Sequence, residues 1–198
     1  MNDEKNNSRD PGLKDFFDLA MSQPTPDPFE ESQEYKELAS IQQRYQEREL
    51  IDEGGMKHIR HFRDAVTQRS VARAEMKKAD DAREIDNFIR EARLTAGLEH
   101  PNIVPVHDIG INRQGKPYFN MKLLGGENLQ SIINKLNEGH ETEKFPRETL
   151  LEIFLKICDA VAYAHSKGIV HLDLKPANIQ VDEFGQVLVC DWGLARHL

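Results

Sequence analysis

The chain has 198 residues, enough for one domain or two small lobes with a sizeable core, and carries a net charge of −8. Most of that charge sits in residues 1–35, where Lys5, Arg9 and Lys14 face nine acidic residues; the rest is near neutral, which argues against nucleic acid or an anionic membrane as partner. The N-terminus has no signal-peptide pattern and no apolar run is long enough to span a bilayer, and the two cysteines, Cys158 and Cys190, lie in apolar segments that predict buried thiols in a reducing, cytoplasmic compartment.

Residues 1–34 are polar and acidic, and Pro24, Pro26 and Pro28 break any helix, so this stretch reads as a disordered tail. Within it Leu13, Phe16, Phe17, Leu19 and Ala20 mark one short amphipathic turn. Residues 35–43 read as a short helix. Residues 44–124 then read as five strands around one helix. Strands are predicted at 44–51, 57–63 and 70–76, with the first turning at Gly54 and Gly55. Ile85, Phe88, Ile89, Ala92 and Ala96 recur at helical spacing and predict an amphipathic helix over 83–98. Two further strands, 103–111 and 116–123, are joined by the turn Asn112-Arg113-Gln114-Gly115.

Residues 125–198 are read as mainly helical. Leu129, Ile132 and Ile133 mark a short helix, and 149–166 is apolar nearly all round, which predicts burial on several faces. Gly168 is its expected stop. Ile179-Gln180-Val181 and the run 186–190 are strand formers around the turn residues Asp182, Glu183, Phe184 and Gly185. That hairpin returns Asn178 and Asp191 to one end, where one cation cluster can bind both.

The densest signal lies around this hairpin. His171-Leu172-Asp173-Leu174-Lys175-Pro176-Ala177-Asn178-Ile179 is followed, twelve residues on, by Asp191-Trp192-Gly193. Together they resemble the catalytic and metal-binding loops of protein kinases. Residues 44–198 as a whole resemble a bacterial-type serine/threonine protein kinase domain. The resemblance implies an α+β, two-lobed fold: a five-stranded small lobe with one helix over 44–124, and an incomplete, mainly helical large lobe over 125–198. The run Leu194 to Leu198 would open an activation loop, so the chain is expected to be a fragment of a longer protein.

The resemblance also implies roles. Asp173 would orient the substrate hydroxyl and take its proton, and Lys175 would contact the transferring phosphoryl group. Asn178 and Asp191 would ligate Mg²⁺, with ATP as donor and a protein as substrate. Glu91 matches the helix carboxylate that pairs with the ATP-holding lysine. Met121 falls at the gatekeeper position, and the backbone of Lys122 and Leu124 would meet the adenine. Ala72 would lie above the ring and Gln180 below it, where an apolar residue is usual.

Departures from the family pattern are as informative. The third strand reads Val71-Ala72-Arg73-Ala74, with alanine where the lysine belongs. The glycine-rich loop reads Asp52-Glu53-Gly54-Gly55-Met56-Lys57, with Lys57 at the third glycine position. This is similar to the with-no-lysine kinases, in which a lysine of this loop replaces the missing one. An ammonium acts on phosphate as a point charge on a long stem, so its origin can move. Asp52, at the first glycine position, would repel phosphates. Leu172 replaces the arginine that pairs with a phosphorylated activation loop, and Trp192 replaces the usual Phe. Two functions stay open at this level. One is an active kinase that uses Lys57; the other is a pseudokinase acting as a nucleotide-binding or scaffolding module.

Overall fold

The computed structural model describes residues 32–53, 57–78 and 80–198. The chain divides into two units, residues 1–42 and 43–198. In the first, helix α1 spans Gln33–Ser40. It begins two residues earlier than the pattern suggests because the Ser32 hydroxyl caps it, accepting from Tyr35 N–H at 3.2 Å. It stops at Ser40, since Ile41 is extended. The amphipathic turn expected at residues 13–20 and most of the expected tail lie outside the described residues.

The second unit is α+β. Five antiparallel strands, β1 (Tyr45–Glu53), β2 (Lys57–Asp64), β3 (Arg69–Met76), β4 (Val106–Ile111) and β5 (Pro117–Lys122), pair in the order β1-β2-β3-β5-β4. Helix α2 (Ala82–Ala96) follows β3 and is capped by Asp81, whose carboxylate accepts from Arg83 N–H at 2.8 Å. Ile85, Phe88, Ala92, Ala74, Met76 and Phe119 pack together between helix and sheet, as the helical period requires.

Strand β4 begins three residues later than expected. Residues 102–104 pair with a different partner: Val189 N–H donates to Asn102 O, and Val104 N–H donates to Val189 O. Pro105 then interrupts the run, and its carbonyl accepts from Lys122 N–H.

The other face of the sheet holds a feature that pattern alone does not reveal. Alternation along β3 turns Arg73 away from the helix side, where it is 7% exposed. Its guanidinium lies 4.8, 4.1 and 3.8 Å from the ring centroids of Tyr45, Phe62 and Tyr118, and its Nε donates to Asn120 at 2.9 Å.

At the β2–β3 turn Asp64 is fully buried. It accepts from both sides of the Arg44 fork at 3.2 and 3.1 Å, from the Thr67 hydroxyl at 2.8 Å and from Val66 N–H at 3.0 Å. Burial alone would raise its pKa, but these donors outweigh it and bring the carboxyl from 3.8 down to about 2. A depressed carboxyl contributes stability above its unfolded pKa and loses it as pH falls through the folded value. Asp64 is therefore expected to contribute up to about 2 kcal/mol that disappears between about pH 4 and pH 2. Denaturant melts across that range should show a step that Asp64→Asn removes; an unchanged acid limb in the variant would refute the assignment.

In the remainder of this unit, β6 (Glu127–Asn128) leads into α3 (Leu129–Asn137), then α4 (Arg147–Ser166), β7 (Ile169–Val170), a 3-10 turn (Pro176–Asn178), β8 (Ile179–Val181), β9 (Val187–Val189) and β10 (Arg196–His197). Strands pair as β6-β8-β9 and β7-β10. The core collects Ile132 of α3, Ile153, Ile157, Ala160 and Ala164 of α4, the apolar residues of β8 and β9, and Trp192. Helix α4 buries one stripe, Ile153, Ile157, Ala160 and Ala164. Leu151, Phe154 and Leu155 remain 52–60% exposed, and Cys158 is exposed with them rather than buried. No helix among the described residues is long and apolar enough to cross a membrane.

Candidate active site

Between the five-stranded sheet and the β8–β9 hairpin lies a cavity of about 400 Å³. Its wall is built from both sides. Strand β2 presents Lys57 and Ile59, two residues apart and therefore on one face, and α2 presents Glu91 and Thr95, one turn apart. Phe119, Met121 and Leu124 follow the same alternation at the end of β5 and beyond it. From below come Asn128, Asn178, Gln180, Cys190 and Asp191.

Lys57 is the electrostatic centre. Its Nζ lies 2.6 Å from Glu91 Oε1 and 3.5 Å from Asp191 Oδ1. Burial favours the neutral amine, but attraction to Glu91 and Asp191 and the hydrogen bonds to both more than offset it, so the pKa is raised. The ammonium is therefore retained at neutral pH. Ala74, at the usual lysine position, is fully buried beside Phe88, Ala92 and Phe119. Gly193 sits close to both carboxylates: a Cβ there would stand 3.2 Å from Glu91 Oε2, a tight contact, and 3.5 Å from Asp191 Oδ1.

The loop 171–178 is a connected hydrogen-bond system. His171 Nε2 contacts the Cys190 carbonyl at 3.0 Å and its Nδ1 accepts from Asp173 N–H at 3.2 Å, which makes Nε2 the donor. The His171 ring packs on Trp192 at 4.5 Å between centroids, and the buried indole N–H donates to Val189 O at 3.3 Å. Asn178 turns its NH₂ to Asp173, 2.9 Å from its carbonyl and 3.1 Å from Oδ2, which leaves the amide oxygen for the other side. Lys175 Nζ bonds Asp173 Oδ2 at 2.8 Å; this bond lowers the Asp173 pKa and raises that of Lys175. Leu172 and Asp191 hold φ of 62° and 57°, a conformation L-residues avoid and one that surrounding contacts must enforce.

Of the residues singled out from sequence, Lys57, Glu91, Met121, Leu124, Asn178, Gln180 and Asp191 meet at the cavity. Asp173 and Lys175 lie outside its lining, connected through Asn178. Ala72 is 3% exposed, packed within the sheet between His61 and Met121, and does not line the cavity. The Lys122 side chain turns away to bond Gln186, and its N–H donates to Pro105 O; the group expected to meet the adenine is its backbone carbonyl. Gly54 and Gly55 lie outside the described residues. Ile59, Thr95, Val104, Val106, Phe119, Asn128 and Cys190 also line the cavity although sequence reasoning did not single them out. Period-two alternation from Lys57 and Met121 would have found Ile59 and Phe119. Burial, with Asp191 beside it, pushes the Cys190 thiol up to about 12.

The donor set suits a magnesium–nucleotide ligand. Three carboxylates, Asp52, Glu91 and Asp191, line the cavity against the single ammonium of Lys57, a surplus that a divalent cation would balance. No group of three or more His, Cys, Asp or Glu side chains among the described residues closes on a metal alone. Asn178 and Asp191 offer two oxygen ligands, which suits a cation that keeps phosphate oxygens and water as its others.

This constellation, a carboxylate-bearing loop and a D-x-G turn beneath a five-stranded sheet, has the layout of a phosphoryl-transfer site. The protein kinase domain family matches residues 45–198, and the chain belongs to that family. It is 35% identical over 164 residues to the serine/threonine-protein kinase PknD of Protochlamydia amoebophila (strain UWE25), covering 78% of this chain and 16% of that protein. It is 37% identical over 160 residues to PknD of Chlamydia trachomatis serovar D, covering 77% and 17%, and 36% identical over the same length to PknD of Chlamydia muridarum. The chain thus spans less than a fifth of the length of these relatives.

Proposed function

We propose that this domain transfers a phosphoryl group from magnesium-bound ATP to a serine or threonine hydroxyl of a protein, in the cytoplasm, with Lys57 in place of the third-strand lysine. The observation that carries the reading is Lys57 Nζ at 2.6 Å from Glu91 and 3.5 Å from Asp191, with Ala74 buried where a lysine is usual. ATP supplies the electrophilic phosphorus; Asn178 Oδ1 and Asp191 would hold the Mg²⁺ that accompanies it. Lys57 places positive charge against the phosphates and, through Glu91, ties β2 to α2. Asp173, ionised and held by Lys175 and Asn178, accepts the hydroxyl proton. Lys175 neutralises charge on the transferring oxygens. Radiolabelled transfer to a protein substrate, present in the unaltered domain and lost in Asp173→Asn, tests the reading.

Asp52 favours a second reading. Its carboxylate lines the cavity, and Oδ1 accepts from Glu53 N–H at 2.7 Å. Such a charge opposes bound phosphates and suits a pseudokinase that signals by conformation. Nucleotide binding without any transfer would decide for it.

Regulation should also depart from the family habit. Leu172 stands where an arginine would hold an activation-loop phosphate, and it is 60% exposed. Phosphatase treatment of the full-length protein is expected to change its activity less than about twofold, since no arginine adjoins Asp173 to bind the group. A large, reversible loss mapped to the activation loop would show another cation in that role.

A further inference from the structure

Strand β1 changes register twice against β2, and the second change decides where Asp52 points. Leu50 pairs with Arg60, so unbroken antiparallel pairing would set Asp52 opposite His58. A one-residue shift sets it opposite Ile59 instead, and Glu53 opposite His58. Neighbouring residues of a strand project to opposite faces, whereas directly opposed residues of paired strands share a face. Ile59 lines the cavity. The shift therefore carries the Asp52 side chain from the outer face of the sheet to the cavity face, where Asp52 too is part of the lining. Ile51, between Leu50 and Asp52, takes no place in the register and is left exposed.

The carboxylate that arrives there is oriented and uncompensated. Its Oδ1 accepts from Glu53 N–H at 2.7 Å. Among the described residues no cation pairs with it: Lys57 lies against Glu91 and Asp191, at 2.6 and 3.5 Å, and Lys77 bonds Glu53 at 2.8 Å. Asp52 thus adds a negative charge to a cavity that already sets Glu91 and Asp191 against one ammonium. It is also exposed to solvent, so its field acts through water rather than a dry interior and is screened by salt.

We propose that Asp52 is a specificity-determining residue that sets the magnesium requirement for nucleotide binding. It repels a polyphosphate that arrives without its cation and tolerates one whose charge Mg²⁺ has reduced. This rests on the nucleotide reading above and holds whether or not the bound nucleotide is turned over. Metal-free ATP brings more negative charge to the cavity than its magnesium complex does, and repulsion from a fixed carboxylate grows with that charge. The carboxylate lowers the affinity of both forms, but it lowers that of the bare nucleotide more, and the difference between the two is the selectivity.

The test compares the chain itself with two variants. Asp52→Asn withdraws the charge and keeps an oxygen able to accept from Glu53 N–H. Glu49→Gln withdraws the same charge from the same strand, at an exposed position outside the cavity lining, and controls for net charge. Equilibrium dialysis of radiolabelled ATP over a series of free Mg²⁺ concentrations gives the Mg²⁺ needed for half-maximal retention. Asp52→Asn is expected to lower that requirement about fivefold, as suits one unit charge acting through water on several phosphate charges. Glu49→Gln should leave it unchanged, and the Asp52→Asn shift should shrink in strong salt. An unchanged requirement in Asp52→Asn, an equal shift in Glu49→Gln, or a shift that salt does not diminish overturns the inference and leaves the proposed function standing. A raised requirement in Asp52→Asn also overturns it, since Asp52 would then hold the cation rather than turn away the bare nucleotide. If ATP is retained at no Mg²⁺ concentration, the proposed function falls and this inference falls with it.

Discussion

Asp173→Asn is expected to lower phosphoryl transfer by at least about a hundredfold while sparing nucleotide affinity, because a positioned base contributes roughly 10²–10⁴. Asp173 lies outside the cavity lining, and its backbone carbonyl keeps one of its two bonds to Asn178 in the variant, so the main loss is the proton acceptor. Asparagine can keep the contact with Lys175 through its oxygen, which limits structural damage. Asp191→Ala should behave differently. Asp191 lines the cavity and touches Lys57, so its loss should weaken magnesium-dependent ATP binding as well as turnover. The bond from Lys175 holds the Asp173 pKa below the ordinary carboxylate range, so this carboxylate remains a base throughout the neutral range. Equal turnover by the unaltered protein and Asp173→Asn would refute the role given to Asp173.

The parts of this site that were legible from sequence are those written into one short segment. His171 to Ile179 and Asp191 to Gly193 carry their chemistry at fixed local spacing. The hairpin between them announces itself by Asp182, whose carboxylate accepts from Phe184 and Gln186 N–H at 2.9 and 2.8 Å. The start of β4 was misread because Ile103 and Val104 are apolar and β-branched. Such residues fit a strand or a bridge to Val189 equally well, and only the distant partner decides. Helix α4 is apolar nearly all round, and only its tertiary partners decide that Ile153, Ile157, Ala160 and Ala164 form the buried stripe. Arg73 reads as an ordinary exposed strand residue until Tyr45, Phe62 and Tyr118 converge on it. The pairing of Asn128 with Gln180 depends on a two-residue strand, too short to leave any periodic signal.

Lys57→Met is expected to reduce turnover by at least about tenfold, because a charge-assisted hydrogen bond is worth roughly 1.5–3 kcal/mol and 1.36 kcal/mol is a factor of ten. The loss should exceed that of a phosphate contact alone. Lys57 also bonds Glu91, so its removal leaves a carboxylate with only 12% side-chain exposure beside Asp191. Its raised pKa means the contribution is complete at neutral pH and fades only as pH climbs through that raised value. Lys77 provides the control. Its Nζ bonds Glu53 at 2.8 Å and it does not line the cavity, so Lys77→Met should be near neutral. Rebuilding the ordinary arrangement with Lys57→Gly and Ala74→Lys should restore only part of the activity. The new stem would start among Phe88, Ala92 and Phe119, where position 74 is closed to solvent, and would have to displace them to reach Glu91. Measuring ATP affinity and turnover separately distinguishes the two roles of Lys57. A lost phosphate contact weakens binding, whereas a displaced α2 lowers turnover at saturating ATP. Lys57→Met with unaltered affinity and turnover, alongside an inactive Lys77→Met, would return the lysine function to the third strand.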